Sequence, residues 1–176
     1  MKNYLIVIDM QTDFVDGALG TKEAVAIVPA VKQRIEEART AGEVVIFTRD
    51  THRPEYLETQ EGRNLPVTHC IEGTDGWQII PELKGLAEGA EIFDKPTFGS
   101  VKLGEALAAA NAEEPIGQIT LVGLCTDICV ISNAMLIKAF LPEVPIVVEA
   151  AACAGVTPQS HEQALSAMQV CQIAVK

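Results

Sequence analysis

Two thiols, Cys125 and Cys129, stand four residues apart in "GLCTDICVISNAM" (123–135). That spacing admits a metal clip, a redox pair, a packed core or a nucleophile. Zinc clips favour Cys-x2-Cys or longer paired sets, and the chain has no Cys-x-x-Cys redox motif. Cys129 falls in the first turn of a helical pattern over 128–140, with Thr126 or Asp127 placed to cap it. Free N–H groups and the helix dipole at such a position favour the thiolate, the reactive form. A neighbouring lysine would lower the thiol pKa further, and a carboxylate could accept its proton. Lys95 and Asp9 are the candidates, because each closes an apolar, β-rich run. Asp, Lys and Cys together make a nucleophilic amidase: thiolate attacks carbonyl, an acyl-enzyme forms, and water releases the acid. On this reading Cys129 stays reactive below the free-thiol pKa of about 8.5.

Plainer readings compete. A cysteine at a helix start is more often packing than catalysis. Asp9 and Asp50 could cap loops, and Lys95, before Pro96, could be a solvated surface residue. Their coincidence at strand ends weighs for chemistry, since open α/β sheets bind ligands beyond the carboxyl ends of their strands.

A second group lies in residues 50–77. "DTH" puts Asp50 and His52 on the same side of an extended segment. His69 could close on them from the far end, with Glu61 or Glu58 as a fourth ligand. A carboxylate and two imidazoles suit Zn, Mn or Fe. The alternative is a loop pinned by ordinary histidine hydrogen bonds. Residues 50–77 show little periodicity, and a long loop in a compact domain is usually functional or disordered. It holds two of the three histidines, which favours function.

The elements that must position these groups are legible as alternating patterns. Apolar runs at 4–9, 43–48, 90–94, 118–123, 144–149 and 172–175 read as strands. Their near-continuous apolar character predicts burial on both faces, hence a mostly parallel sheet. Helical patterns fall at 29–41, opened by Pro29 and stopped by Gly42, and at 101–111, 128–140 and 158–170. The expected fold is α/β: a three-layer α/β/α, Rossmann-like domain over 1–176, with a six-stranded sheet flanked by helices.

Composition excludes other classes. The 176 residues are 48% hydrophobic and 21% charged, with a net charge of −11. No basic stripe appears, so nucleic acid is not an expected partner. An acidic surface also repels anionic membranes. The apolar run before Asp9 is too short for a signal peptide. Five irregularly spaced cysteines do not make a disulfide scaffold, so a reducing cytoplasm is expected.

"VIDMQTDF" (7–14), "RDTH" (49–52), "DKPTFGS" (94–100) and "GLCTDICV" (123–130) occur in this order along essentially the whole chain. In order and separation they resemble the isochorismatase-like cysteine hydrolases, nearest to the nicotinamidase branch. The resemblance implies Asp9 as general base, Lys95 as charge partner and Cys129 as nucleophile. It implies an oxyanion hole from the backbone N–H groups of Cys125 and Cys129, with a cis Leu124–Cys125 peptide. It also implies a divalent metal, zinc or else manganese or iron, on Asp50, His52 and His69. Glu61 stands where some members carry a histidine, with Glu58 as runner-up. Such a metal would hold a pyridine nitrogen. Phe14, Trp77 and Phe98 are candidates for a flat pocket around a planar ring, although Phe98 reads equally well as core. The implied activity is nicotinamide hydrolysis in NAD salvage, in a homodimer or homotetramer. Other small amides, ureido or carbamoyl compounds among them, and a non-catalytic metabolite-binding role are the alternatives.

Overall fold

The computed structural model describes residues 1–176. Six strands form one sheet: β1 (Lys2–Ile8), β2 (Val44–Asp50), β3 (Glu91–Lys95), β4 (Ile116–Leu124), β5 (Ile146–Ala154) and β6 (Ala174–Val175). Their order is β3-β2-β1-β4-β5-β6, and every pairing is parallel. The helices are α1 (Thr12–Val15), α2 (Lys22–Ala41), α3 (Gln60–Asn64), α4 (Pro81–Ala87), α5 (Val101–Glu113), α6 (Ile131–Phe140) and α7 (Pro158–Val170). None is long and apolar enough to cross a membrane.

Strand β1 shows why the sheet is buried on both sides. Side chains alternate between faces along a strand. Leu5 and Val7 join one apolar cluster with Val31 and Ile35 of α2 and Leu83 of α4. Ile6 and Ile8 join another with Leu103 of α5, Ile137 of α6 and Met168 of α7. All four β1 residues are fully buried, each worth about 1.5–3 kcal/mol relative to exposure.

The chain order reverses between β1 and β4, the switch point where α/β sheets open a ligand crevice. Gly123 lets these two strands meet. It sits at φ +113, and a Cβ there would lie 2.1 Å from the Ile8 carbonyl oxygen.

Local differences from the sequence reading have physical causes. Helix α2 begins at Lys22, not at Pro29, because the Thr21 side chain accepts a hydrogen bond from Ala24 N–H and caps it. Pro29 lies inside the helix. An internal proline costs about 3 kcal/mol, which burial of Ala24, Ile27, Val31, Ile35 and Ala38 offsets. Residues 50–77 hold two 3₁₀ turns, Tyr56–Glu58 and Asp75–Trp77, besides α3.

The helix expected over 128–140 has a different opening. Thr126–Val130 is a π-helical turn, and α6 proper starts at Ile131. Neither Thr126 nor Asp127 caps it. Cys125 occupies the cap position without a side-chain bond. The Asp127 carboxylate instead accepts from Val156 N–H, and Thr126 Oγ1 lies 2.7 Å from His161 Nδ1. The Leu124–Cys125 peptide is cis.

Candidate active site

The carboxyl ends of β1, β2, β3 and β4 bring three predicted residues together. Asp9 follows β1, Lys95 ends β3, and Cys129 lies in the π-turn after β4. Lys95 Nζ sits 2.7 Å from Asp9 Oδ2 and 3.4 Å from Cys129 Sγ. It also donates to the Thr97 carbonyl at 3.2 Å. Asp9 is held by Thr48, whose hydroxyl donates to Oδ1 at 2.6 Å. Asp9 and Lys95 are essentially sealed from solvent. Oδ2 thus faces the Lys95 ammonium as a buried ion pair, while Oδ1 takes the Thr48 hydroxyl.

The electrostatics run against one expectation. The Cys129 thiol is held well above its ordinary range, by burial first and then by the Asp9 carboxylate, and Lys95 only partly opposes them. Both influences favour the neutral thiol over the thiolate. Burial also raises Asp9, with Lys95 working against the shift and Asp50 with it. Burial alone would lower Lys95, but Asp9, Cys129 and Asp50 push it up. Lys95 therefore keeps its charge.

Asp50, His52, Glu61 and His69 converge as a second group, each offering a ligand atom within 4.8 Å of the others. His52 Nε2 lies 2.8 Å from Asp50 Oδ2 and 3.5 Å from Glu61 Oε1. His69 Nε2 lies 3.6 Å and 3.8 Å from the same oxygens. His52 Nε2 is buried and turned toward both carboxylates, so the donor atoms face one shared point. Two imidazoles and two carboxylates fit a divalent ion. Glu58 is not part of the group. Glu61 is, because Thr59 caps α3 and sets Glu61 in its first turn.

The sequence reading missed several supports of this second group. The buried Gln11 side chain brackets Asp50: Oε1 accepts from Asp50 N–H at 2.7 Å, and Nε2 donates to the Asp50 carbonyl at 2.8 Å. The Asp13 carboxylate accepts from Cys70 N–H, beside His69. His69 Nδ1 meets the Val67 carbonyl at 2.7 Å, fixing which nitrogen turns inward. Tyr56 packs against both imidazoles, with ring centroids 4.6 and 4.9 Å away. Gln11 and Asp13 sit in the "MQTDF" run, the one signal that pointed to them.

Both groups border one cavity of about 630 Å³, reached by Cys125, Cys129, Asp50, Glu61 and His69. Phe14 and Phe98 line it. Phe98 is 44% exposed, a rim residue and not core. Trp77 does not line it. Its Nε1 donates to Thr51 Oγ1 at 2.9 Å, and the Arg49 guanidinium stacks 3.6 Å from its ring centroid. Leu19, Thr21, Ile128 and Val156 are lining residues that no sequence signal marked.

The arrangement offers a thiol, a proton acceptor and a fixed cation beside a site for a metal. Residues 3–175 match the Isochorismatase domain model. A crystal structure of nicotinamidase/pyrazinamidase PncA from Bacillus subtilis superposes with TM-score 0.84 at 29% identity, covering 99% of each chain. Pyrazinamidase of Pyrococcus horikoshii, solved with zinc, gives 0.82 at 27%, covering 100% of this chain and 99% of that one. N-carbamoylsarcosine amidase from Thermoplasma acidophilum gives 0.81 at 29%, covering 100% and 96%. From site and sequence together, the chain belongs to the isochorismatase-domain family, as one of its amidohydrolases.

Proposed function

We propose that the chain hydrolyses nicotinamide to nicotinate and ammonia through an acyl-enzyme on Cys129. The carrying observation is that the Asp9–Lys95–Cys129 group and the Asp50–His52–Glu61–His69 group meet at one cavity.

Asp9 Oδ2 takes the thiol proton as Sγ attacks the carboxamide carbon, which suits a cysteine whose surroundings favour the neutral thiol. The new oxyanion is received by the backbone N–H groups of Cys125 and Cys129. The Cys125 N–H is the donor of none of the turn, loop and cap backbone hydrogen bonds. The C–N bond breaks, and the proton on Asp9 leaves with ammonia. Asp9 then takes a proton from water, which attacks the thioester carbon. The C–S bond breaks, nicotinate departs, and the proton returns to Sγ. Lys95 holds Asp9 anionic between these transfers. A divalent ion on Asp50, His52, Glu61 and His69, zinc or else manganese or iron, would supply a Lewis-acid position for a ring nitrogen. Phe14 and Phe98 would flank the ring.

No lysine or arginine lines the cavity, whose only carboxylates belong to the metal group. A carbamoyl amino acid would bring a carboxylate with nothing to pair it, so an uncharged amide fits better. The volume of about 630 Å³ exceeds what a single-ring amide fills. That favours, as a second reading, a larger uncharged amide handled by the same chemistry.

Ammonia release from nicotinamide, with and without prior chelation and beside Cys129→Ala, tests the proposal. Metal-dependent release that the variant loses supports it. No release from nicotinamide, with a larger uncharged amide trapped as an acyl-enzyme on Cys129 by mass spectrometry, moves the substrate to the second reading. Amide hydrolysis that survives Cys129→Ala removes the nucleophile.

A further inference from the structure

The Asn133 side chain is fully buried in α6, one helical turn beyond Cys129. An amide carries two donor hydrogens and an acceptor oxygen, and Asn133 spends them on two separate segments. Nδ2 donates to the Cys129 carbonyl at 2.8 Å and to the Phe98 carbonyl at 3.1 Å. Oδ1 accepts from Ser100 N–H at 2.9 Å. Ser100 caps α5, its hydroxyl accepting from Leu103 N–H. The backbone also comes close here: a Cβ on Gly99 would lie 3.1 Å from the Ser132 carbonyl oxygen. The loop from β3 to α5 is thus tied at both ends to the reacting groups. Lys95 Nζ holds Thr97, and Asn133 holds Phe98 and Ser100.

We infer that Asn133 is a positioning residue: it locks the Phe98 loop onto the nucleophile turn, so the ring clamp and the thiol keep a fixed separation. No common isostere does both jobs. Aspartate lacks the donors. Serine reaches only the carbonyl four residues back, here that of Cys129. Asn133→Ser therefore keeps the bond within the helix and removes the ties to the loop.

Two readouts test this role. Hydrogen exchange of the Ser100 amide should quicken about tenfold or more in Asn133→Ser. KM for nicotinamide should rise about tenfold with a smaller change in kcat. In a Phe98→Ala background the same substitution should change KM by less than about twofold, because both changes act through one ring contact. Unchanged Ser100 exchange overturns the tie, and additive KM effects overturn its action through Phe98. The kinetic arm rests on the proposed function, whereas the exchange arm needs no substrate. A wild type idle on nicotinamide would therefore count against that reading and leave the Ser100 result to decide Asn133. If Asn133→Ser does not fold, the wild type decides: its Ser100 amide should exchange at least about tenfold more slowly than an unprotected amide, and unprotected exchange overturns the tie.

Discussion

The thiol end of the cavity and the metal end are built differently. Asp9, Lys95 and Cys129 stand at or just beyond the tips of strands that hydrogen-bond to common neighbours, and the sheet spaces them. Only Asp50 of the metal group ends a strand. His52, Glu61 and His69 ride on the segment between β2 and α4, which needs Gln11, Asp13 and Tyr56 to hold it. Parallel strands position groups through a backbone ladder that is indifferent to side chains. A loop has no ladder and must enlist specific residues instead. Asp50 joins the two regimes, with Oδ1 3.5 Å from Lys95 Nζ and Oδ2 2.8 Å from His52 Nε2.

The contrast can be broken by experiment. The largest stability effect should come from Lys95→Met, which strands buried Asp9 and Asp50 without their cation. A loss of about 3–5 kcal/mol in denaturant unfolding is expected, and a near-neutral result would mean the thiol end is not held by charge. Gln11→Ala should touch the other end. With Asp50 less firmly held, zinc affinity by titration should fall about 10–100-fold, while Cys129 alkylation proceeds at the wild-type rate. Equal damage to both readouts would erase the distinction between sheet-held and loop-held groups.

Acidity sharpens the comparison further. Burial and Asp9 favour the neutral thiol, so the thiolate fraction of free Cys129 should grow only above the ordinary thiol pKa of about 8.5. Alkylation of the substrate-free enzyme that is already fast at neutral pH would contradict this. Because burial raises Asp9, turnover should fall with acid at a pH above its ordinary 3.8, as protonated Asp9 cannot take the thiol proton. The smallest effect belongs to Cys125→Ala, since only the Cys125 backbone is invoked. Its kcat/KM should stay within about threefold of wild type, and a collapse would give that side chain a role.

The same division explains what the sequence disclosed. Apolar runs that stop at Asp9, Asp50 and Lys95 mark strand tips, and tips of a parallel sheet share one rim, so the thiol end was legible. The bias of Cys129 toward the neutral thiol was not. Helix start and lysine are visible as letters, but complete burial is a property of packing. Trp77 misled for a related reason: an aromatic in an irregular segment reads as pocket, and only the fold reveals Thr51 and Arg49 as its partners. Asn133 passed for an ordinary helix residue because its loop partners lie 33 and 35 positions away. Glu61 over Glu58 was decided by the Thr59 cap, a short-range signal visible in the sequence.

Gly123 carries a lesson for mutational scanning. It does not line the cavity, yet one methyl group there would wedge the strand that leads to Asp9 from the strand that leads to Cys129, its carbon 2.1 Å from the Ile8 carbonyl oxygen. A survey scored by activity alone would rank this glycine beside Asp9 and Cys129. Inactivity alone therefore cannot separate the hinge pin of this site from its working parts; a thermal melt run beside the assay can.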